Sequence, residues 1–251
     1  MSVLSAIKTI IANAKNFGKT RSLSTIKYIV IHYTSNDGDT DTNNGKYFRD
    51  YVVKASAHYF VDSDSITQSV KDNVVAYSVG GNKYASCAQT GGGKFYGKCT
   101  NSNSISIELC DDVKNGVVYP TQATIDNALE LTRHLMKKYN VPKERVIRHF
   151  DVTGKICPAY WSGTPAKNKL WLTEFWNKLD GGSGTTITQS KSYLVKITAS
   201  TLNVRAGAGT SYKVNTTVKK GQIYTIVDEK DGWGKLKSGA GWIKLSYTTK
   251  V

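Results

Sequence analysis

The segment Arg148-His149-Phe150-Asp151-Val152-Thr153-Gly154-Lys155-Ile156-Cys157-Pro158 brings a histidine, a lysine and a cysteine into one short loop, broken by glycine and closed by proline. Far upstream, the apolar run Ile26-Lys27-Tyr28-Ile29-Val30-Ile31-His32-Tyr33-Thr34 carries a second histidine near its end. His32, His149 and Cys157 together offer two imidazoles and a thiolate. Three such donors leave the fourth position of a tetrahedral metal open, which is the count of a catalytic zinc site rather than a closed structural one. Zinc in such a site makes water a nucleophile near neutral pH, and Lys155 adds a positive charge to the same loop. The chemistry expected is metal-assisted hydrolysis.

Such donors must be held by rigid elements. Ile26 to Tyr33 reads as a strand covered on both faces, with Tyr28, Val30 and His32 sharing one of them. In Ser104 to Cys110, Ile105, Ile107 and Leu109 point one way, while Ser104, Ser106, Glu108 and Cys110 point the other. The first face can pack under a helix. The second, small and polar with one carboxylate, can floor a cleft.

Helical spacing follows from Thr121, a candidate N-cap, through Ile125, Ala128, Leu129, Thr132, Leu135, Met136 and Tyr139, and stops at Asn140 before Pro142. His134 lies off that stripe and reads as a surface residue. A second helix starts at Thr164-Pro165, with Leu172, Phe175, Trp176 and Leu179 as its stripe, and a shorter one near Asn43–Val53 presents Tyr47, Phe48 and Tyr51. Strands alternating with helices indicate an α/β unit, a mixed central sheet flanked by helices.

The His32-bearing strand, Ser56-Ala57-His58-Tyr59-Phe60, Asn103-Ser104-Ile105-Ser106-Ile107-Glu108-Leu109 and Arg148–Pro158 occur in an order that resembles the zinc-dependent N-acetylmuramoyl-L-alanine amidases, a family that includes peptidoglycan recognition proteins. The resemblance covers about the first two thirds of the chain. It implies His32, His149 and Cys157 as zinc ligands, and Glu108 and Lys155 as catalytic residues. Glu108 is then the base that takes a proton from water and passes it to the leaving nitrogen, and Lys155 the charge that stabilises the oxyanion. Asp151 is a candidate to orient a ligand histidine. His58 and Thr34 are candidate cleft residues. Some members carry a tyrosine where this chain reads His58-Tyr59, so the aligned position falls on one or the other. Non-catalytic recognition proteins of the wider family typically lose the cysteine ligand. Cys157 is present here, which favours an enzyme over a pure binding module.

The composition changes after Asp180-Gly181-Gly182-Ser183-Gly184-Thr185-Thr186, a flexible linker by its residues. The expected organisation is a catalytic domain over residues 1–180, a linker over 181–190 and a small all-β domain over 191–251. Short strands are expected at Tyr193–Ile197, Thr201–Arg205, Gln222–Asp228, Trp233–Lys237 and Trp242–Leu245, separated by glycine turns. Leu202-Asn203-Val204-Arg205-Ala206-Gly207-Ala208-Gly209-Thr210, with Gly232-Trp233-Gly234 and Gly241-Trp242-Ile243, resembles bacterial SH3-like barrels. That resemblance implies wall binding, with Trp233, Trp242 and Arg205 as candidate contacts.

The formal net charge is +15, and from Ser190 onward there are 11 Lys and Arg against 3 Asp and Glu. So basic a tail attracts polyanions, either nucleic acid or the anionic polymers of a Gram-positive wall. It carries no nucleic-acid motif, so the expected partners are peptidoglycan and those polymers. Cys87 and Cys99 flank Gly91-Gly92-Gly93 and could either pair after release from the cell or remain thiols.

No run reaches membrane-spanning length, and Ser2–Ala14 lacks the apolar core and cleavage site of a secretion signal. With the resemblance, this implies a phage endolysin made in the cytosol and released through a holin. A processed mature autolysin or a sporulation amidase of the host would present the same features.

Overall fold

The computed structural model describes residues 7–180, 193–230 and 232–251. The chain forms two compact units, and among the described residues the larger holds 7–180 and the smaller those from 193 onward. The linker expected over 181–190 lies outside the described residues.

The larger unit contains eight described strands: β1 (Ile7–Thr9), β2 (Phe17–Thr20), β3 (Tyr28–Tyr33), β4 (Tyr59–Val61), β5 (Ile66–Gln68), β6 (Val74–Ala76), β7 (Ser104–Leu109) and β8 (Val146–Arg148). Its helices are α1 (Asp41–Asp50), α2 (Cys87–Thr90), α3 (Gln122–Tyr139), α4 (His149–Thr153) and α5 (Pro165–Leu170). Six strands form the main sheet in the order β1-β5-β4-β7-β3-β8, while β2 and β6 pair separately. The contacts β4–β7, β7–β3 and β3–β8 are parallel and β4–β5 is antiparallel, so the sheet is mixed as expected.

Register follows from burial. Ile29, Ile31, Ile105, Ile107 and Leu109 lie in the main core with Ile125, Ala128, Leu129 and Leu135 of α3. Tyr28 and Val30 pack on the opposite face with Val79, Cys99, Ile147 and Val152. Slipping β7 by one residue would turn its three apolar side chains onto the polar face, so the pairing is held strongly. Thr121 caps α3 by accepting from the Thr124 amide at 3.2 Å, and Asn140 ends it in the left-handed region at φ 51°.

After α5 the chain widens into a π-helical turn, Trp171–Phe175, and then tightens over Trp176–Leu179. The buried stripe is therefore Trp171, Phe175 and Leu179, whereas Leu172, expected in it, is exposed. Trp161 is fully buried beside Trp171 and Phe175, and its indole N–H donates to Glu174 at 2.6 Å. On α1, Phe48 stacks against Phe60, but Tyr47 and Tyr51 face outward.

The smaller unit is one antiparallel sheet of seven strands: β9 (Tyr193–Ile197), β10 (Thr201–Arg205), β11 (Val214–Lys219), β12 (Ile223–Lys230), β13 (Trp233–Leu236), β14 (Trp242–Lys244) and β15 (Thr248–Lys250). Its core is Val195, Ile197, Leu202, Val204, Val218, Ile226, Leu236 and Ile243. Strands β11 and β15 were not expected from the sequence.

Candidate metal centre and cleft

Three adjacent parallel strands deliver the site. His32 and Glu108 are direct neighbours across β3 and β7, close to the carboxyl ends of both strands. His149 follows directly on β8, the neighbour of β3 on its other side. Open α/β sheets place their sites at this end, where loops leave the strands and converge.

The loop after β8 folds back through backbone bonds. The Phe150 amide donates to the Cys157 carbonyl at 3.0 Å, which returns Cys157 to the start of α4. Gly154 ends α4 at φ 85°, and a Cβ there would lie 2.1 Å from Cys87 Sγ, so no larger residue fits. Cys87 and Cys99 are separate buried thiols, and the Cys87 thiol faces the Thr153 carbonyl at 3.3 Å.

One potential donor atom from each of His32, His149 and Cys157 lies within 4.8 Å of the others. All three residues are buried. Cys157 Sγ is 3.8 Å from His32 Nδ1, and Glu108 Oε1 lies 3.9 Å from the same nitrogen. His32 Nε2 and Glu108 Oε2 are buried with no hydrogen-bond partner. Buried polar atoms are rarely left so, and both belong to the residues of this cluster. Two imidazoles and a thiolate this close together, with a carboxylate beside them, fit a borderline divalent cation such as zinc.

Burial governs the protonation of these groups. It holds His32 well below the ordinary imidazole value, helped by His149 and Lys155, and brings His149 down to about 4, again helped by Lys155. Both rings are thus neutral and able to donate a lone pair to a metal. Burial pushes Glu108 up to about 8 against the pull of Lys155, and also raises the Cys157 thiol. A divalent cation would reverse both of the latter effects by favouring the charged forms.

A cleft of about 730 Å³ opens over these residues. His32, Thr34, Glu108, His149, Lys155 and Cys157 all line it. Thr34 Oγ1 is buried without a partner, while Lys155 is exposed at the rim. Sequence reasoning missed Asp39, Asn44 and the aromatic wall of Tyr47 and Tyr77, all of which line the same cleft. The polar run Thr34–Thr40, leaving the carboxyl end of the His32 strand, was the available signal for Asp39.

Two expected residues are placed elsewhere. His58 lies on the cleft face of the sheet but deeper, level with Ser106 rather than Glu108. It accepts from the Ser106 amide at 3.1 Å and sits 3.1 Å from the Val74 carbonyl, fully buried and away from the cleft lining. The adjacent Tyr59 donates to Asp72 at 2.6 Å and belongs to the main core. Asp151 orients no histidine. Its two oxygens accept from the Arg148 side chain at 2.7 and 3.0 Å and from the Arg148 amide at 2.8 Å.

In the smaller unit, Arg205 and Trp233 line a hollow of about 430 Å³, and Trp242 stands opposite Arg205 across β10 and β14 without lining it.

The chain thus combines an α/β unit that carries a metal-type donor cluster at its strand ends with a separate all-β unit. The chain belongs to the N-acetylmuramoyl-L-alanine amidase family, whose sequence pattern matches residues 22–160, and residues 200–249 match the bacterial SH3 domain. It is 32% identical to the N-acetylmuramoyl-L-alanine amidase CwlL of Bacillus licheniformis over 76% of this chain and 49% of that protein. It is 28% identical to the amidase BlyA of Bacillus subtilis (strain 168) over 91% of this chain and 61% of that protein. The chain thus spans about half the length of the curated relatives it matches. Among solved structures, the PlyG catalytic domain superposes with a TM-score of 0.54 at 26% identity, covering 73% of this chain and 98% of that one. The PlyL structure gives 0.54 at 25% identity, covering 72% and 99%.

Proposed function

We propose that this protein is a zinc-dependent peptidoglycan hydrolase of the endolysin type. It cuts the amide between the lactyl group of N-acetylmuramic acid and the first L-alanine of the stem peptide, and its SH3-like unit attaches it to Gram-positive walls. The observation that carries this reading is the convergence of His32, His149 and Cys157, with Glu108 beside them, at the foot of one cleft.

His32, His149 and Cys157 would hold the zinc. When bound, zinc supplies a Lewis acid and lowers the pKa of water toward 7. Glu108 accepts the proton of the attacking water on its unpartnered Oε2 and returns it to the leaving amide nitrogen. Lys155, at the rim, faces the charge that develops on the scissile carbonyl oxygen. The unpartnered Thr34 hydroxyl is a ready donor to a substrate oxygen in the same cleft. Tyr47 and Tyr77 offer aromatic faces on which a sugar or peptide can rest.

Mass spectrometry of the products from Gram-positive peptidoglycan tests the reading. Free stem peptides beginning at alanine, beside sugar chains with bare lactyl groups, are expected. Uncut walls from a folded, zinc-loaded sample would replace hydrolysis with recognition alone.

A further inference from the structure

We propose that the smaller unit carries a binding site for a phosphodiester-linked polyol chain in the hollow formed by β10, β13 and β14. The inference rests on the proposed attachment of this unit to walls, and names the chemistry that it grips.

Alternation along β10 buries Leu202 and Val204 and turns Thr201, Asn203 and Arg205 to the other face. Trp233 and Lys244 are direct partners across β13 and β14 and join the same hollow, with Tyr247 beside them. Lys244 Nζ lies 5.8 Å from the Trp233 ring centre. Two cations therefore face one concave site, and no carboxylate among the described residues lines it. Glu229, the acidic residue with a described side chain in this unit, is engaged by Tyr193.

Arg205 is built in. Its Nη1 donates to the carbonyls of Thr210 and Tyr212 at 2.9 and 2.8 Å, which fixes the guanidinium beside the hollow. Its other N–H groups make no hydrogen bond among the described residues, and a planar guanidinium so oriented suits phosphate oxygens. Thr201 and Asn203 add small polar groups suited to polyol hydroxyls.

The aromatic residues decide between phosphodiester polymers. Nucleic-acid strands are gripped by stacking bases on open aromatic faces. Trp233 is only 6% exposed and offers no such platform, which leaves Tyr247 as the one exposed ring among the described residues that line the hollow. A narrow polyol chain fits against a partly covered ring where a nucleobase does not.

The test uses the full chain, titrated with soluble poly(glycerol phosphate) and followed by amide and indole NMR signals. Signals of Asn203, Trp233 and Lys244 should move, and glycerol alone should leave them unchanged. Lys244→Gln should weaken binding by about tenfold or more, as expected for a charge-assisted contact. Lys220→Gln removes the same charge from an exposed turn outside the hollow and should change affinity by no more than about twofold. Neither substitution touches the Arg205 anchor. Equal losses in the two variants would overturn the site in favour of a diffuse basic surface. Tighter binding of single-stranded DNA of equal charge would overturn the polyol assignment.

Pelleting with walls separates this inference from the broader reading. Wild-type protein that sediments equally with intact walls and with walls stripped of phosphate polymers keeps wall attachment but refutes the ligand. Protein that sediments with neither loses wall attachment, and the titration still decides the site.

Discussion

Replacing Asp151 by alanine should destabilise the larger unit strongly without removing any of the proposed metal ligands. Arg148 and Asp151 are both buried, and the pair shares bonds of 2.7 and 3.0 Å between side chains. Arg148 also donates to the Trp161 carbonyl and to Asn168 Oδ1 at 2.8 Å, so the guanidinium stays in place when its counter-charge is removed. Breaking a buried pair this way leaves an uncompensated charge and costs about 3–5 kcal/mol. For a unit of this size each kcal/mol lowers Tm by about 2–4 °C, so the transition should fall by roughly 6–20 °C. Thermal unfolding of the full chain, monitored by near-UV dichroism from the Trp161 cluster, reads that unit. The double variant Arg148→Met with Asp151→Leu should recover most of the loss, because burying two apolar groups avoids the stranded charge. Below its transition, Asp151→Ala should still bind stoichiometric zinc, since Asp151 touches none of the three donors. A shift under about 1 kcal/mol, or a double variant as unstable as the single one, would refute this account of the pair.

Other substitutions probe the site directly. Glu108→Gln should retain zinc by atomic absorption and lose about 10²–10⁴ in turnover; full activity would remove it as the base. His32→Ala and Cys157→Ala should each abolish stoichiometric zinc binding, and a zinc-loaded Cys157→Ala protein would contradict the donor set. The metal-free protein should be most stable slightly below neutral pH. His58 and His149 are held down to about 3 and about 4, so the unfolded chain takes up protons first and stability falls as pH drops below about 6.5. Glu108, pushed up to about 8, is protonated in the folded state after the unfolded chain has lost that proton, so its contribution is lost as pH rises toward 8. Urea titrations of the metal-free protein across this range check both limbs, and Glu108→Gln should flatten the alkaline one. Deleting residues 190–251 should weaken sedimentation with walls and its salt dependence while leaving zinc content unchanged.

The sequence made the centre of the sheet legible because its strands carry a strong alternation. Ile105, Ile107 and Leu109 separate cleanly from Ser106 and Glu108, and the structure puts the first set under α3. His58 shows where alternation stops being informative. It assigns a face but not a depth, and β4 is covered on both sides, so a histidine one pair of residues below Glu108 looks the same as one beside it. Strand β11 escaped notice because Val214-Asn215-Thr216-Thr217-Val218-Lys219 buries Val218 alone and owes its shape to pairing with β10. The helix after Thr164 was legible in its cap, but a π-helical turn moved its buried side from Leu172 to Trp171. Asp151 was misread because a carboxylate two residues from a histidine says nothing about its partner, which proved to be the arginine at the start of the same turn.

The large apolar core and the small polar site form one design. Glu108 stands beside His32 only while β7 and β3 keep their present register, and no covalent link enforces it. What enforces it is burial on both faces: Ile29, Ile31, Ile105 and Ile107 under α3, and Tyr28 and Val30 on the other side. Ile107 is fully buried and immediately precedes Glu108, so truncating it loosens the strand at the point where the carboxylate is aimed. Ile107→Val should cost about 0.5–1.5 kcal/mol and Ile107→Ala about 2–5 kcal/mol in unfolding free energy. Turnover should respond differently from zinc binding, because Ile107 supports the strand of Glu108 but none of the three donors sits on β7. A smaller turnover with unchanged zinc affinity is the expected signature in Ile107→Ala. Parallel losses of both would mean that the core holds the site only by keeping the unit folded, and that register on β7 has no separate role in aiming the proposed base.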